Sequence, residues 1–553
     1  MENNCVREDT EAKSDKNPHV SSETHTAQTA ATLVRHGSIL SLLTLISRVL
    51  GLLREMTKAR FLGTTALSDA FSVAFLLPNL FRRLFAEGSI TVAFIPTFKE
   101  YLLENNKDKT REFLSCMFTF LTFFVTSAVC IGILAAPFLV RIFGVNEFDE
   151  TVFLTRIMFP FLGLISLAAL FQGILNSIHI FTPSGLAPIL LNIVTIACAY
   201  ALSPFTKNPA RAMAIGIIIG GFLEAAIQLP FVLKHGQTFF ITGIKRALNN
   251  PGTKKVLRLI SPTIIGMAAY QLNDLVSTAL ARRAGEGIVS SLQYSLRLQE
   301  LFLGIFAVSI GTVLLPNLTE YAKTSNWEMF NKRLGSSINI IALITIPVTF
   351  FSMAQGQNII RLLFQGHSFD ETSVALTLTA FMFHIPGLLF IALNRIIAPA
   401  FYAQSNTKSP TIAGVISFAI NILLAAVLVG PFRGAGIAFA LSFASAINTV
   451  FLLIFLGKNP DIKLNSYIGN ILLYLFKMIV LSAIAVIPVI FLSPILKEIF
   501  ADNGRFISNG VPLIINAFLF FIIGIALLAI IKDQNFISII NIIKKKSVKN
   551  NDT

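Results

Sequence analysis

Apolar runs long enough to cross a bilayer recur along the chain near 37–53, 66–98, 113–142, 151–176, 184–204, 212–234, 256–281, 288–320, 334–356, 372–400, 410–430, 434–457, 466–493 and 510–532. The pattern predicts an all-α polytopic membrane protein with about 14 transmembrane helices. The first run is short and polar, which demotes it as a lipid-facing span. The 66–98 and 288–320 runs exceed one crossing, so part of each is expected in a cavity wall or at the interface.

The runs also repeat. SITVAFIPTFKEY (89–101) aligns with SIGTVLLPNLTEY (309–321), and LVRIFGVNEFDE (139–150) with IIRLLFQGHSFDE (359–371), placing Arg141 over Arg361. MFPFLG (158–163) and ALFQGILN (169–176) find counterparts in MFHIPG (382–387) and PAFYAQSN (399–406). The offset stays near 220 and drifts with loop insertions. Six helices per offset preserve orientation, so the expectation is two pseudo-symmetric, parallel six-helix lobes at 37–235 and 255–457, joined by a linker over 236–254. Helices 13 and 14 follow in 458–535, between a polar tail at 1–36 and a basic tail at 536–553. Paired lobes of this size are the architecture of alternating-access transporters, whose site lies between them.

Composition narrows the class. Of 553 residues 54% are hydrophobic and 13% charged, with a mean hydropathy of +0.72. Soluble domains carry about 25% charged residues, so little mass lies outside the bilayer. A net charge of +15 is read here as cationic loops rather than nucleic-acid binding. With the N-terminus inside, the inside loops hold 16 Lys and Arg and the C-terminal tail adds Lys544, Lys545 and Lys546, which predicts that both termini are cytoplasmic. Residues 1–34 lack an apolar core and read as a disordered tail, not a signal peptide. The four Cys and seven His show no CxxC or HxxxH spacing, so no metal site is expected.

Against this background the charges between 47 and 101 stand out. Arg48, Arg54, Asp69, Arg82, Arg83 and Glu87 fall within or at the ends of spanning segments. An exposed charge at a helix centre costs roughly 2.5–3.5 kcal/mol on insertion scales, so these groups are expected to face a water-filled cavity and to bind an anion. Arg48 and Arg54 lie roughly 120° apart on an ideal helix; Gly51 between them would let the helix unwind and aim both inward. Arg297 has Glu300 one turn on, on the same face. Arginine suits such a cavity because its planar fork binds phosphate bidentately and keeps its charge when desolvated. Adjacent residues cannot share one helix face, so Arg82 is read as the cavity group and Arg83 either as a cavity group or as an interfacial side chain. Asp69 reads either as a counter-charge or as a helix cap, and Glu87 as a counter-charge or an interlobe lock. Asp274, the sharpest acid of the second lobe, reads either as an ion-coupling carboxylate or as a hydrogen-bonded structural acid.

SRVLGLLRE, SDAF, LPNLFRRLFAEGS, FIPTFKEY, YSLRLQELFLG with IGTVLLP, APAFYAQSNTKSP, and GILNS with FTPSGLAP carry a resemblance to the MurJ (MviN) lipid II flippases over roughly 37–530. That family lies within the multidrug/oligosaccharidyl-lipid/polysaccharide exporter superfamily. The resemblance implies a lipid II flippase serving cell-wall synthesis in the bacterial inner membrane. It implies that Arg48, Arg54, Arg82 and Arg297 engage the diphosphate of undecaprenyl-diphosphate-linked muropeptide, with Ser47, Asp69, Asn79, Glu87 and Glu300 in the same cavity. Helices 13 and 14 would guide the lipid tail. No cofactor and no catalytic residue is implied, and coupling would be to the membrane potential or a monovalent cation. The alternatives are another exporter of the superfamily (an O-antigen or polysaccharide-lipid flippase, or a drug antiporter), a membrane glycosyltransferase and a non-transporting scaffold. The arginines argue against a drug antiporter and a scaffold. The absence of a DxD or HExxH motif and of any long loop argues against an enzyme.

Overall fold

The computed structural model describes residues 42–83, 93–462, 464–538 and 541. Among them the secondary structure is helical, without strands. The first helix, α1, spans 42–62, nine residues beyond the end of its apolar run. The extension is polar because it is buried between the lobes and not in lipid: Glu55, Thr57, Lys58 and Ala59 are all buried, whereas Leu42, Leu45, Val49 and Leu53 of the first half are exposed. The helix passes through Gly51 without unwinding.

The first lobe continues with α2 (Ala66–Arg82), α3 (Ile95–Leu103), α4 (Lys107–Phe143), the bent pair α5 (Phe148–Met158) and α6 (Pro160–Ser177), α7 (Thr182–Leu202), α8 (Pro209–Ala226) and α9 (Leu229–Lys234). A short linker helix, α10 (Ile244–Asn249), leads to the second lobe: α11 (Pro251–Arg283), α12 (Ile288–Lys323), α13 (Trp327–Phe364), the pair α14 (Glu371–His384) and α15 (Gly387–Ala403), and α16 (Lys408–Leu456). The last is two crossings, because the chain reverses just after Pro431 at Arg433 (φ 48°, ψ −127°). Two further helices, α17 (Leu464–Ile499) and α18 (Arg505–Ile530), pack on α13.

Eight described helices are long and apolar enough to span a membrane on their own, and α14 with α15, bent by 47°, makes a ninth. Counting α16 twice and adding α1, α2 with α3, α11 and α12 gives the fourteen crossings. Those four additions carry many of the polar side chains of the central cavity, among them Arg54, Asn79, Asp274 and Arg297.

The repeat survives down to helix caps. Asn106 and Asn326 both cap by accepting from the backbone N–H three residues on, at Lys109 and Met329. Each follows a residue with positive φ, Asn105 (53°) and Ser325 (54°). The helices they start, α4 and α13, run 37 and 38 residues and end with Arg141 and Arg361 in the last turn. The buried core divides likewise. One cluster gathers Phe94, Phe98, Phe113, Phe161 and Phe171; the other gathers Tyr294, Phe330, Phe364, Phe381 and Phe401. Helix α11 straddles them. Val256 joins the first core, and Lys255 pairs with Glu100 of α3, while Asn273 accepts from Asn421 of α16 at 2.6 Å. The linker is held to the first lobe by Arg246 on Glu112 at 2.6 Å.

Candidate functional site

A cavity of about 1570 Å³ lies between the lobes. Its described wall carries five basic side chains, Arg54, Lys58, Arg83, Arg297 and Arg395, against three acids, Glu55, Asp274 and Glu300. Glu55 is the hub of the charged floor. It accepts from Arg54 at 3.1 Å and lies 3.8 Å from Arg297 Nε, and Arg297 Nη1 donates to Glu300 at 2.8 Å. One chain of alternating charge therefore joins α1 of the first lobe to α12 of the second. Arg54 is largely withdrawn from solvent and Arg297 is half exposed, so Arg297 offers donors to an incoming anion while Arg54 is held in place. Asn79 also lines the cavity.

Other residues named from the sequence sit elsewhere. Arg48 lies outside the cavity wall, in the seam between α1 and α12, its guanidinium on the backbone at Gly304, where an added Cβ would come within 1.5 Å of Nη1. With α1 unbroken at Gly51, Arg48 and Arg54 diverge. Ser47 offers its backbone carbonyl to Asn192 of α7 at 3.3 Å. The adjacent pair on α2 departs from expectation at Arg82. Arg82 turns back one turn, donating to Asn79 Oδ1 at 2.8 Å, whereas Arg83 lines the cavity and reaches Asp274 of the second lobe at 3.1 Å. Asp274 thus meets an arginine across the cavity. Glu87 lies outside the described residues.

Asp69 is not a cavity group. It is 1% exposed and accepts from the backbone N–H groups of Gly287 and Ser290 at 2.8 and 2.9 Å and from the Ser290 hydroxyl at 2.6 Å. It caps the first turn of α12, where unpaired N–H groups favour a carboxylate. Glu286 returns the contact, accepting from Ala66 N at the start of α2 at 2.9 Å. Ala66 and Glu286 are 220 positions apart, the offset of the repeat. The two lobes thus cap each other's helices.

The same end is closed by further cross-lobe bonds: Thr64 to Ser373 between hydroxyls at 2.8 Å, Tyr294 to the Gly63 carbonyl at 3.1 Å, and Ser368 N to the Arg60 carbonyl at 3.3 Å. Two glycines with positive φ make the fit possible. A Cβ on Gly63 would lie 1.9 Å from Ser368 O, and one on Gly287 2.2 Å from Thr64 O. Asp370, capping α14 beside this seam, is held below the usual carboxylate range by the backbone N–H of Ser373. Away from this end the cavity wall continues to Leu315, Pro316, Tyr402 and Thr411.

Sequence reasoning missed Glu55, Lys58 and Arg395. Glu55 and Lys58 stand one turn apart beyond the apolar part of α1, and their spacing to Arg54 was the available signal. Arg395 sits in the apolar α15, where a lone charge was the cue.

Two lobes around a cationic chamber, shut at one end, define the fold class of a multi-pass membrane transporter. The fold matches an inward-facing "multidrug resistance MATE family transporter of the MOP superfamily" with a TM-score of 0.64 at 13% identity, covering 76% of this chain and 96% of that one. A structure of "Lipid II flippase MurJ, inward closed conformation" superposes with a TM-score of 0.72 at 24% identity, covering 89% and 99%. The family model "Lipid II flippase MurJ" matches residues 58–505. A "Probable lipid II flippase MurJ" of Treponema pallidum (strain Nichols) is 46% identical over 510 residues, 91% of this chain and 97% of that protein. The "Lipid II flippase MurJ" of Burkholderia cenocepacia is 34% identical over 424 residues, 75% and 81% of the two chains. The chain belongs to the MurJ family, and it is a multi-pass membrane transporter.

Proposed function

We propose that this protein moves lipid II, the undecaprenyl-diphosphate-linked peptidoglycan precursor, from the inner to the outer leaflet of the bacterial cytoplasmic membrane. The observation that carries the reading is the cavity: an excess of cationic side chains between two lobes that cap each other's helices at one end. Arg54 and Arg297 receive the diphosphate, and the polyprenyl tail stays in lipid. Helices α17 and α18, whose outer faces expose Phe476, Phe491, Phe518 and Phe521, guide that tail. The headgroup neutralises mutually repelling arginines, which favours closure around it. The lobes then rock, the cross-lobe caps break, and the chamber opens outside without covalent chemistry. Coupling is to the membrane potential or to a monovalent cation exchanging with Arg83 at Asp274.

The excess of cations over acids disfavours a cationic-drug antiporter of the same fold, which would concentrate positive charge on positive charge. Binding tests the reading. Undecaprenyl-diphosphate muropeptide should raise the melting temperature of the purified protein, and undecaprenol should not. Equal shifts with both lipids would mean that the tail alone is recognised, and the diphosphate reading would fall.

Orientation follows from loop charge. Both termini are cytoplasmic and the capped end, with its turns at 63–65 and 366–370, is outside. Reporter fusions after Lys107 and after Phe369 should read inside and outside respectively. The opposite pattern would invert the direction of transport.

A further inference from the structure

Lys58 is a cavity cation that both lobes hold through neutral side chains. It is 4% exposed. Its ammonium donates to Ser72 Oγ of α2 at 2.7 Å and to Gln293 Oε1 of α12 at 2.9 Å. It also lies 5.8 Å from the Phe71 ring and 5.1 Å from the Tyr294 ring. Ser72 with Gln293, and Phe71 with Tyr294, are near-equivalents across the repeat, separated by close to its 220-residue offset. Lys58 therefore sits between near-equivalent positions of the two lobes, in the wall of the cavity. Glu55 and Asp69 act on it through space, but among the described residues neither forms an ion pair with it.

We infer that Lys58 is a phosphate ligand of the opening step, parked on neutral partners until the lobes part. An ammonium carries three donors, and here two go to a hydroxyl and an amide, one from each lobe. Neutral acceptors compete weakly with a diphosphate, whereas the carboxylates on Arg54 and Arg297 compete strongly. Separating α2 from α12 at the capped end cannot preserve both Lys58 bonds. The freed ammonium, on a flexible four-carbon stem, then meets the substrate at the end through which it leaves. Lys58 so ties diphosphate occupancy to breaking of the caps. The inference rests on the lipid II reading and adds a ligand used in the outward-opening state.

The test is a distance measurement between spin labels on exposed residues of the capped end, K207C in the first lobe and H367C in the second, in a cysteine-free background in nanodiscs. Undecaprenyl-diphosphate muropeptide should increase the widened population in the parent. Lys58→Gln, which keeps neutral hydrogen bonding but removes the charge, should cut that substrate-driven increase about tenfold, the worth of one charge-assisted hydrogen bond. Lys58→Arg should restore part of it. If Lys58 were only structural glue, K58Q would raise the widened population without substrate and leave the substrate-driven increase intact. That result, or an equal response in K58Q and parent, overturns the inference alone. A parent that does not respond to the diphosphate lipid overturns the flippase reading and this inference with it.

Discussion

Arg54→Ala and Arg297→Ala each abolish transport while the protein still inserts in the membrane. Both belong to the chain of charge from Arg54 through Glu55 and Arg297 to Glu300. Without Arg54, the buried Glu55 keeps only the longer contact to Arg297, and losing a partner from a buried pair costs about 3–5 kcal/mol. Substrate capture also loses a charge-assisted contact worth about 1.5–3 kcal/mol, or roughly 10- to 100-fold in rate. Arg→Lys should rescue only partly, because lysine keeps the charge but loses the fork. The check is complementation of flippase-depleted cells, with membrane levels measured by immunoblot. Full growth of both alanine variants would remove the diphosphate clamp from the account.

Asp69→Asn should shift the protein towards the outward-open state. The carboxylate accepts three hydrogen bonds at the start of α12, and amide replacement removes its charge and turns one acceptor into a donor facing N–H groups. A loss of about 2 kcal/mol moves a two-state equilibrium by roughly 30-fold. Crosslinking or label distances across the turns at 63–65 and 366–370 would report the change. Glu286→Gln should act in the same direction but more weakly, because the Ala66 N–H it receives is exposed. An unchanged distance distribution in D69N would mean that the caps do not govern closure.

Much of the architecture could be read from the chain because hydrophobic period and repeat are local signals. The 220-residue offset found between FIPTFKEY and VLLPNLTEY reappears in the caps Asn106 and Asn326 and in the Ala66–Glu286 contact. Arg54, Asp274, Arg297 and Glu300 were legible as candidates, since charge in a spanning segment needs a polar surface, and Asn79 through the family resemblance; all five line the cavity. What could not be read was non-local. Asp69 resembles an ordinary first-turn acid, but the helix it caps begins more than 200 residues later. Arg82 and Arg83 differ only by helix rotation, which the sequence leaves open and the bond to Asn79 decides. The polar end of α1 falls outside the apolar run at 37–53 because it is buried between the lobes and not in lipid.

Depletion rescue tests the central claim most directly. This chain would replace the native flippase in cells, and lipid II exposed on the outer leaflet would be quantified. The account predicts that exposure and growth return with the parent protein and that both are lost with R54A and R297A. Growth without restored outer-leaflet lipid II, or restored exposure with both alanine variants, would contradict it.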